Sequence, residues 1–353
     1  MKFKRLTALA LALVMTASVL SACSSQKNST QSNQTSPSAS AQAGSSSDQE
    51  NDPAPDYPGN KTIQMICGAA AGGGTDTTAR ALLKYMPEYL GNAVVVNVKG
   101  AGGSIAARQV MESEPDGYTL SYYNEGTDVN QISGVADFGM DIFEAILIPA
   151  TVEATVLCVS DWDNFEDTVK WAQENPGQLS FGCEVGTYTE QVACAFFNAY
   201  GIEGQLVDVG PTNDQVAALA GGHVKMIVVP IGVTLDYQKT GEFKPICFMT
   251  KERNANYPDI PTAIEKGSPD WFYLPRYYYI GFPKGTPAEI IDKFSMGLEK
   301  LVADERFQND LNALELTPNF MNKDDAWAYY EETHPVWERY AEEVITYKAQ
   351  YGL

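Results

Sequence analysis

Three consecutive glycines, Gly72-Gly73-Gly74, stand between an apolar strand-like segment and Thr75-Asp76, where a helical pattern begins. The chemistry such a loop offers is anion capture. Backbone amides freed at a helix N-terminus, together with the helix dipole, form a ready site for a negative group. The other reading of Ala69 to Asp76 is a flexible strand–helix turn that holds nothing. The loop lacks the Gly-Lys-Ser/Thr ending of a phosphate loop, which argues against a nucleotide phosphate. Asp76 reads as structural: a carboxylate in the first turn satisfies amides as an N-cap, and Arg80 is spaced to pair with it. Val185-Gly186-Thr187-Tyr188-Thr189 and Gly210-Pro211-Thr212-Asn213-Asp214 repeat the glycine-plus-hydroxyl theme later in the chain.

Lys99-Gly100-Ala101-Gly102-Gly103-Ser104-Ile105 looks at first like a dinucleotide fingerprint, but Ile105 stands where the third glycine belongs. A tight turn with Ser104 capping the next helix is the reading that remains. The two histidines, His223 and His334, lie far apart in dissimilar contexts, and no cysteine pair has zinc-like spacing. No nucleophile–base pair occurs in the glycine loops. These residues point to binding without catalysis, and to no metal or other cofactor.

The elements that must position the loops follow from periodicity. Ile63–Ile66, Ala93–Val98 and Thr119–Tyr123 read as strands, with amphipathic helices over Thr77–Leu90 and Ile105–Glu112 between them. After a strand at Thr155–Val159 comes a second set: helix Asn164–Glu174, strand Leu179–Gly182, helix Thr189–Tyr200, strand Gln205–Val209, helix Asn213–Ala220, and strands Met226–Val229 and Lys244–Met249. From Pro287 the pattern is helical to the end. Strands alternating with helices predict an α/β fold of βαβ units with parallel sheets. Loops at the carboxyl ends of strands in two such sets would face one another across a cleft.

At the N-terminus, Lys2, Lys4 and Arg5 precede an uncharged apolar run, Leu6 to Leu20, too short to span a membrane. Leu20-Ser21-Ala22-Cys23 then resembles a bacterial lipobox, which makes residues 1–22 a signal peptide and Cys23 the lipidated first mature residue. Ser24 to Asp52 is polar throughout and cannot bury enough surface to offset its ordering entropy. It reads as a tether reaching on the order of 30 Å. The net charge of −21 argues against nucleic acid or anionic lipid bound through a basic surface. An anionic ligand must then be held by local dipoles. Six cysteines include Cys23; of the rest, Cys67, Cys158 and Cys247 lie in apolar segments, and pairing of Cys183 with Cys194 is left open.

Taken in order, several segments resemble the Bug family, the extracytoplasmic receptors of tripartite tricarboxylate transporters. The matching residues are Gly72-Gly73-Gly74-Thr75-Asp76 with Ala79-Arg80, Lys99-Gly100-Ala101-Gly102-Gly103, Pro115-Asp116-Gly117-Tyr118-Thr119-Leu120 and Gly221-Gly222-His223-Val224. Tyr257-Pro258-Asp259-Ile260-Pro261-Thr262 with Glu265 and Gly267, and Pro283-Lys284-Gly285-Thr286-Pro287, complete the set. The resemblance implies a two-lobe periplasmic-binding-protein-like fold of type II, with a hinge and a helical C-terminal tail. Residues 57–155 plus 250–353 would form lobe 1 and 156–249 lobe 2, after a lipidated tether over 23–56. It implies a small mono- or dicarboxylate ligand, integral membrane transporter subunits as partners, and a location outside the cell membrane, anchored by lipid on Cys23.

The ligand-binding positions carried over are Ala71, Gly72, Gly73, Thr75 and Asp76 in lobe 1, and Gly186, Thr187 and Tyr188 in lobe 2. Three departures from the family pattern leave the ligand open: Ala71 replaces a proline, Asp208-Val209-Gly210-Pro211 replaces Pro-Tyr-Lys-Gly, and Tyr277-Tyr278-Tyr279 falls where a tryptophan is usual. A ligand-sensing receptor for a signalling partner would share nearly the same sequence. A hydrolase of small organic acids has little support in these residues.

Overall fold

A computed structural model of the protein describes residues 57–352; Cys23, the signal segment and the tether lie outside the described residues. The first run of elements is β1 (Ile63–Cys67), α1 (Gly74–Tyr89), β2 (Ala93–Asn97), α2 (Ser104–Met111), β3 (Thr119–Asn124), α3 (Gly126–Ile132) and β4 (Phe143–Val152). A second run follows: β5 (Thr155–Val159), α4 (Phe165–Glu174), β6 (Leu179–Cys183), α5 (Tyr188–Tyr200), β7 (Gly204–Asp208), α6 (Thr212–Ala220), β8 (Met226–Pro230), α7 (Leu235–Thr240) and β9 (Lys244–Phe248). The chain ends with β10 (Arg276–Pro283), α8 (Ala288–Val302), α9 (Glu305–Asn312), β11 (Thr317–Met321) and α10 (Lys323–Tyr351).

The strands form two sheets, ordered β11-β4-β10-β3-β1-β2 and β7-β6-β8-β5-β9. Where helices connect consecutive strands the pairing is parallel, as the crossover requires: β1 with β2 and β3, and β6 with β7 and β8. The sheets are nonetheless mixed, which corrects the expectation of parallel ones. β10 and β11 return antiparallel, and β5 runs antiparallel to both β8 and β9. The cause is how the chain changes sheet. β4 ends at Val152 and β5 begins at Thr155, with no room for a crossover helix. The return runs from β9 to β10, so the chain crosses twice between the sheets.

Several boundaries differ from the sequence expectation for local reasons. α1 starts at Gly74, not Thr77, and its cap is Gly73 with no side-chain bond. The Asp76 carboxylate reaches back to the Gly72 amide at 2.8 Å instead. α2 is capped by Gly103 at φ 89°, not by Ser104, whose Oγ accepts from Asn130 Nδ2 at 3.1 Å. β4 escaped the periodicity analysis because all of it but Glu144 is buried, and a strand covered on both faces shows no alternation. The tail is not wholly helical: β11 interrupts it and pairs with β4. All five described cysteines are buried free thiols, so Cys183 and Cys194 do not pair. Among the described residues, no helix is long and apolar enough to cross a membrane.

The first sheet is packed on both faces, one by Leu82, Met86, Phe294 and Leu298, the other by Val110, Phe143, Tyr277 and Tyr279. The second is covered by Phe196 and Phe197 of α5 and by Trp337, Tyr340 and Tyr347 of α10. α10, at 29 residues, starts from Asn322, whose Oδ1 accepts from the Asp324 and Asp325 amides.

Tyr340 is fully buried, yet its hydroxyl has no partner. Tyr340→Ala should cost about 3–5 kcal/mol through lost packing and a cavity. Tyr340→Phe should be neutral or stabilising by roughly 1 kcal/mol, because it removes an unmet polar group. Urea midpoints for the two variants decide the matter; a large loss from Tyr340→Phe would mean that the hydroxyl is bonded.

Candidate functional site

The loops after β3 and β6 meet at a cavity of about 290 Å³ whose lining comes from both sheets. Glu125 and Gly126 follow β3, Glu184 to Thr189 follow β6, Thr212 and Gln215 begin α6, and Arg276 opens β10. This is the carboxyl end of parallel strands, where open α/β sheets hold ligands.

Arg276 is the cavity's cation, and it is 8% exposed. Its Nε donates to Glu125 Oε1 at 2.6 Å, and Glu125 also accepts from the Tyr277 amide at 3.3 Å. The guanidinium carbon lies 4.2 Å from the centre of the Tyr188 ring, a cation–π contact that links β10 to the start of α5. Burial works against the charge, but Glu125 beside it outweighs that and raises the Arg276 pKa above its usual value. The two terminal nitrogens meet no acceptor among the described residues. A planar fork with free donors is suited to a carboxylate.

Of the positions expected from sequence, Gly186, Thr187 and Tyr188 line this cavity. Thr187 is the N-cap of α5: its hydroxyl donates to the Glu184 carbonyl at 2.8 Å, and its amide bonds the same carbonyl at 3.2 Å. The Gly186 amide, at φ 81°, donates to Glu190 Oε2 at 2.8 Å. Ala71, Gly72, Gly73, Thr75 and Asp76 sit together at the end of β1 and are not among the lining residues. Their loop is built like the other one. Gly72, at φ 79°, gives its amide to the acid four residues on, and Asp76 is held by Arg80 at 2.9 Å and by Asn97 at 2.9 Å. The Gly73 amide is taken by the Ala70 carbonyl, whereas the amides that begin α1, at Gly74, Thr75 and Asp76, are open. The positive φ falls on Gly72; Gly73 has φ −76°, which any residue adopts.

Tyr277, Tyr278 and Tyr279 are all buried. Tyr279 bonds Thr127 at 2.7 Å, Tyr277 packs edge-on to Tyr329, and Tyr278 stacks on Tyr122. The three fill the first sheet's core. A larger cavity of about 610 Å³ lies at the sheet crossings, beside Glu153, Lys251, Arg253 and Arg276. Its size is no argument for a ligand, since Lys251 is already paired with Glu332 and Arg253 with Glu265. Among the described residues, no group of three His, Cys, Asp or Glu side chains converges to hold a metal ion. Sequence reasoning missed Arg276, Glu125, Glu184 and Gln215. One signal was available: Arg276 is the only charged residue from Trp271 to Pro283.

Asp76 also makes a pH test. The hydrogen bond from Arg80 holds its carboxyl near 2, below the ordinary 3.8. A carboxyl depressed in the folded chain adds stability that is complete above its ordinary value and fades as pH falls toward the folded one. The stability gap between wild type and Asp76→Asn should therefore be steady near neutrality and close between pH 4 and 2. Denaturant titrations of both proteins across that range measure it, and a gap independent of pH would show that the carboxylate's charge is not what stabilises the loop.

Comparison with known proteins agrees with this architecture. Residues 78–344 match the model of the tripartite tricarboxylate transporter family receptor, TctC. A protein encoded in the TAR-I ttuE–ttuC′ intergenic region of Agrobacterium vitis is 31% identical over 261 residues, covering 71% of this chain and 75% of the relative. The periplasmic binding protein BugD superposes with a TM-score of 0.69 at 25% identity, over 80% of this chain and 97% of BugD. MatC of Rhodopseudomonas palustris, solved with bound malate, gives 0.67 at 22% identity, over 80% of this chain and 98% of MatC, which is a likeness of fold. With a receptor-family match over most of its length and two mixed sheets of the periplasmic-binding-protein type, the chain belongs to the TctC family of tripartite tricarboxylate transporter receptors, the family of the Bug proteins.

Proposed function

We propose that this receptor captures a small mono- or dicarboxylate in the Arg276 cavity, outside the cell, and delivers it to the membrane subunits of a tripartite tricarboxylate-type transporter. The observation that carries the reading is the Arg276 guanidinium, fixed by one nitrogen to Glu125 with two nitrogens unmet beside the cavity. A buried cation with spare donors in a fixed plane is preorganised for a carboxylate, so little ordering cost remains on binding. The malate held by MatC is an anion of the class this geometry suits.

In this reading residues 57–155 with 250–353 form one lobe and 156–249 the other, with the two chain crossings as the hinge. Gly186, Thr187 and Tyr188 supply one wall. The Ala71–Asp76 loop contributes the open amides of Gly74, Thr75 and Asp76, with the Asp76 carboxylate bracing Gly72. A ligand touching both lobes favours the closed state because only that state offers both sets of contacts. Lipid on Cys23 would hold the receptor at the membrane, within reach of its partner.

Arg276→Lys keeps the charge opposite Glu125 and removes the fork. Calorimetric titration with carboxylates should show affinity reduced tenfold or more, equivalent to about 1.4 kcal/mol, with melting shifted by only a few degrees. Unchanged affinity would move the carboxylate elsewhere.

Cys23→Ala should release the protein from the membrane fraction or leave its precursor uncut. Correctly cut Cys23→Ala protein that still needs detergent for extraction would end the lipid-anchor reading.

A further inference from the structure

Two side chains that line the same cavity as Arg276, Glu184 and Gln215, carry acceptors that lack donors. Glu184 follows β6 with its backbone pinned: its amide donates to Thr189 Oγ1 at 2.9 Å, and its carbonyl accepts from Thr187. Its carboxylate has no hydrogen bond or ion pair among the described residues. Partial burial, and then Asp208 nearby, raise its pKa above the ordinary value. Gln215, on α6, is 1% exposed. Its Nε2 donates to the Gly210 carbonyl at 2.9 Å, which fixes the orientation of the amide and identifies the other atom as the acceptor. That acceptor, Oε1, is buried with no partner. Two unmet acceptors thus belong to one cavity, one charged and one almost wholly buried. The buried one costs free energy until a donor reaches it.

The charges agree. Glu125, Glu184 and Arg276 are the only carboxylate and cationic side chains lining the cavity among the described residues, so two carboxylates share one cation. A plain dicarboxylate would add two negative charges to a space that is already net negative. An ammonium reverses that repulsion and supplies three N–H donors. We infer that the ligand is an amino-carboxylate zwitterion, with its carboxylate on the Arg276 fork and its ammonium between Glu184 and Gln215. Among carboxylates, these two side chains then select those bearing a protonated amine. The inference rests on the Arg276 cavity being the carboxylate site.

The test is calorimetric titration of the full-length protein with matched acids at neutral pH: succinate, malate and aspartate; glutarate, 2-hydroxyglutarate and glutamate; and 4-aminobutyrate. At least one amino acid should bind tenfold or more tighter than the unaminated acid of the same length. Glu184→Gln should erase that margin. Gln215→Met should narrow the margin without changing the melting temperature much. If unaminated acids bind as tightly as their amino counterparts, and Arg276→Lys still weakens them, the ammonium inference falls and the carboxylate reading stands. If Arg276→Lys changes no affinity, or if none of the seven acids binds, the cavity assignment falls and this inference with it.

Discussion

The ion pair between Arg276 and Glu125 is the constraint around which the rest of the cavity is arranged. Both side chains are almost wholly buried, at 8% and 2% exposure, so each has lost most of its hydration. Burying a single charge in this way is prohibitive, and even a pair contributes little to stability unless its geometry is good. Here the contact is a direct Nε–Oε1 bond of 2.6 Å, reinforced by the Tyr277 amide and by the face of Tyr188. The partners come from different places: Glu125 from the turn after β3, Arg276 from the point where the chain re-enters the first sheet, and Tyr188 from the first turn of α5. One guanidinium therefore sets the spacing between the end of β3, the start of β10 and the second sheet's loop. Removing either charge would strand the other, a loss of roughly 3–5 kcal/mol that would fall on the cavity itself.

Around that pair the two glycine loops apply one device twice. A glycine at φ near 80° gives its amide to an acid four residues later, inside the helix that follows. Asp76 is neutralised by Arg80 within its own helix, and Glu190 by Lys348 from α10. The acid divides the loop's amides into two sets. The glycine amide is used to hold the turn, and in the first loop those of Gly74, Thr75 and Asp76 at the start of α1 stay open. This shows how a chain with a net charge of −21 can present an anion-favouring surface at all. The long-range field is repulsive and is screened over about 8 Å at physiological salt, whereas open amides and one desolvated guanidinium act at contact distance.

What the sequence reveals about this fold follows the range of the interaction concerned. The strand–helix alternation from Ile63 to Tyr123 and from Thr155 to Met249 is a local pattern, and the elements lie close to where periodicity places them. The glycine loops are local too, and so is the Asp76–Arg80 pair, which forms at the helical i,i+4 spacing. β4 and β10 were illegible because burial on both faces removes the alternation that marks a strand. The caps were misplaced for a related reason. Asp76 and Ser104 have the right chemistry, but Arg80, Asn97 and Asn130 compete for the same oxygens, two of them from other elements. Arg276 was missed because its meaning depends on Glu125, 151 residues away, and no local pattern joins them.

The long tail helix shows how far such coupling extends. At its first half α10 is tied beside the first sheet: His334 Nδ1 lies 2.9 Å from both Asp128 oxygens, and Tyr330 donates to the same carboxylate at 3.1 Å. At its second half it is tied to the second sheet. The Asn198 amide group bonds the Glu343 carboxylate at 2.6 Å, and Tyr347 both donates to and accepts from the Gly204 backbone. Lys348 then reaches Glu190 at 2.6 Å. Glu190 is 4% exposed and is the acid that holds the Gly186 amide beside the cavity. Without Lys348 that carboxylate would be buried without a countercharge, and its hold on Gly186 would weaken. A cation near the chain's last turn is therefore part of what shapes a loop more than 150 residues earlier. The Lys348–Glu190 pair links α10 to the sheet carrying that loop, while the Asp128–His334 contact ties the same helix to the opposite wall.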